Sequence, residues 1–133
     1  MTVDELKENI DVIEESYEFF LAYAAQGVSG NSGGVSGELS DYLKRTQKAL
    51  GALEEGLADL TGAADPDGAF RCMGEVMQRD ARDTRAAVGL VMAQPAINSQ
   101  LIDNLNASIH FRALLTDLFL IDEALQATLA AES

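Results

Sequence analysis

Leu39, Leu43, Thr46, Leu50, Leu53, Leu57 and Leu60 recur at alternating steps of four and three residues. Such spacing keeps one stripe of side chains on a single side of a helix, whereas a half-buried strand would alternate every second residue. A helix with a narrow apolar seam must lay it against other helices, so the repeat commits the chain to a coiled-coil-like bundle.

The rest of the chain supplies the other helices. Thr2 and Glu5 have capping-box spacing, and Leu6, Ile10, Ile13, Tyr17, Phe20 and Ala24 continue as an inward stripe to a stop near Gly27. The stretch "VSGNSGGVSG" marks a flexible connection over 27–37; no Lys-Ser or Lys-Thr pair closes it as a phosphate loop requires. Ser36 is the expected N-cap of the second helix, in which Gly51 and Gly56 would permit close helix approach. "TGAADPDG" is the next break, with Asp65 expected to cap and Pro66 to open a third helix. Phe70, Met73, Met77, Asp80, Thr84, Val88 and Val91 face inward there. Pro95 ends that helix. A last one is expected from Ile97 to Leu129, with Leu101, Leu105, Leu115, Phe119, Leu125 and Leu129 inward. The reading is a single domain over 1–133: an all-α, four-helix, up-down-up-down antiparallel bundle. Because "ALLTDLFLIDEAL" is apolar almost all round, a second copy is expected to cover it, giving a homodimer.

Charge narrows the function classes. Nine Lys and Arg against twenty-two Asp and Glu leave a formal net charge of −13. Phosphate-rich partners need clustered cations, so nucleic-acid and anionic-membrane binding are disfavoured. Cys72 is the single cysteine, which rules out an intramolecular disulfide and suits a reducing compartment. No basic leader and no apolar run near the ~20 residues of a membrane span is visible, so a cytoplasmic setting is expected.

Metal chemistry finds few ligands. Position 107, three before His110, is Ala, and His110 is the only histidine, so the Glu-x-x-His pairs of a di-iron bundle are missing. One Cys and one His cannot make a structural zinc site. Non-covalent haem would need only axial ligands, for which His110 with Met73 or Met77 are the candidates. Cys72 reads as a partly buried, inert thiol.

What remains is a polar layer. Counting helix rise outward from each break puts Glu14, Tyr17, Gln47, Asp80, Thr84, His110 and Arg112 near one height. Asp80 is inward-facing and Arg112 is the only Lys or Arg after Arg85, so Asp80 is expected beside Arg112 or His110. Such a layer would be a structural lock, or a ligand pocket lined by Tyr17, Asp80, Thr84, His110 and Arg112.

These features describe a non-enzymatic acidic interaction protein, resembling small acidic chaperones, adaptors and assembly factors in general character. A protein partner, possibly a basic one in charge terms, would meet the acidic face Asp4, Glu8, Asp11, Glu15 and Glu18, or the apolar residues Leu118, Leu120 and Ile121. The alternative is a small-molecule or haem-binding sensor built on the polar layer.

Overall fold

Thr2 opens the first helix as its spacing foretells: its hydroxyl accepts the Glu5 N–H at 3.1 Å. The computed structural model describes residues 1–27, 37–63 and 68–132. Their regular structure is helical throughout: α1 (Val3–Ala25), α2 (Gly37–Ala63), α3 (Ala69–Met92), α4 (Ser99–Ala107) and α5 (Ile109–Glu132). Ser36, Asp65, Pro66 and most of the glycine-rich connection lie outside the described residues. The cap position of α3 falls on Gly68, whose φ of 86° suits glycine.

The stripes meet in an all-α bundle. Leu39, Leu43, Thr46, Leu50, Leu53 and Leu57 are all buried, as are Leu6, Ile10, Ile13 and Phe20. Helices α1 and α2 run antiparallel, as do α2 and α3. Met1 packs on Gly56 while Phe19 stacks on Tyr42 at 4.2 Å, which orients α1 against α2. Gln47 donates to the Arg85 carbonyl at 3.2 Å and Gln78 to that of Glu54 at 2.8 Å, which orients α2 against α3. Gly51 makes no close approach: a Cβ there would meet only the Arg85 guanidinium carbon at 3.9 Å.

The expected last helix is two helices. Asn98 caps α4, its side-chain oxygen accepting the Leu101 N–H at 2.9 Å. Ser108 then leaves the helical region, at φ −58° and ψ 128°. Its N–H closes α4 on the Leu105 carbonyl at 3.1 Å, and its own carbonyl starts α5 by accepting the Arg112 N–H at 3.3 Å. The physical reason lies in the phase of the apolar residues. Continued straight, the α4 stripe of Ile102 and Leu105 would next bring Ile109, Arg112 and Thr116 inward. The break rotates the stripe, so Phe111, Leu114, Leu118, Ile121 and Leu125 are buried instead, and Ile109, Arg112 and Thr116 are exposed. Phe111 gains ring contacts with Tyr17 at 5.2 Å and Phe20 at 6.2 Å. Phe119, expected inward, is exposed for the same reason; Leu129, also expected inward, keeps the phase of the stripe but is exposed near the end of α5.

Candidate functional site

The break at Ser108 dissolves the polar layer. His110 lies in the first turn of α5 with its side chain exposed; only its backbone carbonyl is used, accepting the Thr84 hydroxyl at 3.0 Å. Arg112 is also exposed, in a groove between α1 and α5 with Glu14, Tyr17, Glu18 and Phe119. Thr84 is wholly buried. Tyr17 is half-buried against Phe111. Gln47 belongs to the α2–α3 seam. Tyr17 and Arg112 therefore share one groove, and Thr84 meets His110 through backbone; the five residues do not line one cavity. Met77 lies seven residues from Thr84, about 10 Å along α3, and Met73 a turn farther. Neither sulfur shares a site with His110.

Asp80 is half-buried, and the side chain that perturbs it most is Asp117 of α5, not Arg112 or His110. Counting from a turn at Pro95 with one straight helix beyond it placed Asp80 opposite His110. The actual loop spans 93–98 and a break follows at Ser108, so the residue nearest Asp80 lies seven residues, about two turns, farther along. Burial, a side-chain hydrogen bond with Asp117 and the charges of Asp117 and Asp83 push the Asp80 carboxyl up from 3.8 to about 7, with Arg79 acting the other way. Asp80 Oδ2 is buried with no hydrogen-bond partner.

The two expected partner surfaces fare differently. Asp4, Glu8, Asp11, Glu15 and Glu18 are all exposed. Cations interrupt the face, however. Glu15 lies 3.5 Å from Arg45, Glu8 shares a groove with Arg45 and Lys48, and Glu18 shares one with Arg112. On α5, Leu118 and Ile121 are 0% and 1% exposed, buried in the chain's own core, and only Ile121 reaches the edge of a groove. Leu120 is 60% exposed. The difference is rotational: Leu118, Ile121 and Leu125 carry the inward stripe, and Leu120 lies off it.

Leu120 instead borders an apolar groove of about 520 Å³ between the start of α3 and the second half of α5. Ala69, Phe70 and Met73 form one wall; Leu120, Ile121, Ala124, Ala127 and Thr128 form the other. No lining residue carries a charge. Of the nearby charged residues, Asp117 lies one turn before Leu120 and Ile121 and Glu123 one turn before Ala127, whereas Glu75 lines the α2–α3 groove with Glu54 and Arg79. Phe70 and Met73 read from sequence as core. They are only partly buried because α5, rotated by the break, presents Ala124 and Ala127 to them and leaves a trough.

Among the described residues no three His, Cys, Asp or Glu side chains gather as a metal site would require, and no helix is long and apolar enough to cross a membrane. Cys72 is exposed, not partly buried. Comparison of the chain with family models, characterised proteins and solved structures found no match.

Proposed function

We propose that the chain is a non-enzymatic interaction protein that docks an amphipathic, basic helix of a protein partner in the α3–α5 groove. In this reading α4 and α5 together take the fourth place of an up-down-up-down bundle, and the chain acts as a chaperone, adaptor or assembly factor. The observation that carries it is the groove: an uncharged trough lined by Phe70, Met73 and Leu120, with Asp117 and Glu123 each one turn from a lining residue. An amphipathic helix lays its apolar face into such a trough, and Met and Phe adapt to varied side chains. Basic residues flanking that face complement the rim and the net charge of −13.

The test uses a synthetic helical peptide with leucines on one face and lysines on the other, titrated against the full chain by fluorescence anisotropy. Leu120→Asp separates groove binding from bulk charge attraction. It adds a negative charge, so attraction alone makes the variant bind more tightly. Loss of one seated leucine, worth about 1.5–3 kcal/mol, makes it bind at least tenfold more weakly. Leu120 is exposed, so the circular dichroism spectrum stays that of the wild type. Equal or tighter binding by the variant overturns the proposal. So does a wild-type dimer in sedimentation equilibrium that Leu120→Asp converts to monomer, because the groove would then be a self-association surface.

A further inference from the structure

We propose that the centre of the α3–α5 groove is a subsite for one aromatic side chain of the docked partner, with a Lys or Arg of that partner one turn away. This deepens the docking reading of the groove and rests on it. The first observation is a ring without a ring to meet. Phe19 stacks on Tyr42 at 4.2 Å, and Phe111 meets Tyr17 at 5.2 Å and Phe20 at 6.2 Å. Among the described residues only Phe70 and Phe119 of the five phenylalanines have no such partner. Phe119 shares its groove with Glu14, Glu18 and Arg112, whereas Phe70 is half-buried in the wall of a groove without charge. Met73 stands one turn along α3 from Phe70, so that wall offers a ring and a thioether side by side. Rings stack or meet edge to face, and a thioether sulfur packs on a ring, gains that an aliphatic occupant does not make.

The opposite wall sets the size of the occupant. On α5, Ala124 follows the exposed Leu120 by one turn and Ala127 follows it by two. The two alanines leave a low floor beside that leucine. The groove's volume of about 520 Å³ falls within the roughly 300–1,000 Å³ of pockets that enclose an organic ligand. A flat ring suits such a floor and is broad enough to meet the Phe70 wall as well. Charge then selects what accompanies the ring. Asp117 lies one turn before Leu120 and Glu123 one turn before Ala127, and no Lys or Arg is ion-paired with either among the described residues. A Lys or Arg one turn from the aromatic anchor lays its stem along the apolar wall and carries its cation to one of these carboxylates.

The test compares three lysine-rich helical peptides that differ only at the central groove-facing position, which is Trp, Leu or Ala. The chain contains no tryptophan, so the peptide's indole emission reports its own surroundings. The full chain is expected to bind the Trp peptide about tenfold more tightly than the Leu peptide, with a blue-shifted emission. Phe70→Leu removes the ring but keeps an apolar wall, and should bring those two peptides within about threefold of each other. Ala127→Leu, at an exposed position, raises the floor; it should weaken the Trp peptide about tenfold and leave the Ala peptide within about threefold. Glutamine in place of the lysine one turn from the Trp should weaken binding to wild type, and the difference should vanish in the Asp117→Asn, Glu123→Gln double variant. A Leu peptide that binds as tightly as the Trp peptide overturns the aromatic subsite and leaves the docking reading standing. A Trp preference that survives Phe70→Leu also overturns it. If no peptide binds, the docking reading fails, and N-acetyltryptophanamide at millimolar concentration tests the subsite by itself. The subsite stands if that amide shifts the Ala124 and Ala127 methyl resonances in wild type and not in Phe70→Leu, and falls otherwise.

Discussion

Gly74 and Gly51 lie in helices that face each other, and alanine at the two positions is expected to act in opposite directions. Gly74 is buried where α3 crosses α2. A Cβ there would stand 3.0 Å from both Cβ and Cγ2 of Thr61, and closer still to its Oγ1. Thr61 cannot swing aside freely, because its hydroxyl donates to the Leu57 carbonyl at 2.8 Å. The added methyl must part the helices, and overpacking of that kind costs about 1–3 kcal/mol. The contact is tight enough to place Gly74→Ala at the upper end. Subtracting the roughly 1 kcal/mol that alanine gains in helix propensity leaves a loss of about 2 kcal/mol. Gly51→Ala meets nothing nearer than Arg85 Cζ at 3.9 Å, so it keeps that gain. The two variants therefore differ by about 3 kcal/mol, or roughly 10 °C in Tm. Urea and thermal unfolding followed by circular dichroism measure the gap. Thr61→Ala removes the Oγ1 and Cγ2 obstacles, so the double variant should recover about 1 kcal/mol or more relative to the sum of the single changes. A Gly74→Ala protein as stable as Gly51→Ala refutes the reasoning.

Asn106 is 4% exposed, and neither end of its amide has a hydrogen-bond partner. Asn106→Leu keeps the number of heavy atoms, removes both unpaired polar atoms and should raise stability by about 1–3 kcal/mol, read from the urea midpoint. A loss would mean that the amide is bonded in solution. The exposed Cys72 should react with Ellman's reagent in the native protein within about tenfold of its rate in urea. A rate suppressed a hundredfold or more would contradict its placement.

Short-range physics is legible in this sequence. The seam of α2, the inward stripe of α1 and the Thr2 cap each depend on residues three or four apart, and all three appear where the spacing puts them, with Leu60, Tyr17 and Ala24 partly buried. The same reasoning overlooked Asn98 as a cap, although its type and position announce it. It also missed Gly74, because a glycine inside a helix does not reveal what lies opposite. Phe70 and Met73 have core spacing, and nothing local says that alanines of α5 leave them a trough.

"NASIHFRALL" shows where the division falls. Its residues fit a continued helix by propensity, and that helix would carry Arg112 inward with the stripe of Ile102 and Leu105. Helix periodicity alone determined that α1, α2 and most of α3 bury one face each. Only tertiary packing decided that the chain breaks at Ser108, since the gain is made elsewhere, where Phe111 meets Tyr17 and Phe20 and Arg112 returns to solvent. That one rotation set which carboxyl faces Asp80 and which leucine of α5 stays exposed. Register between helices is a sum over loops and breaks, so an error of one residue in either moves every partner across the bundle.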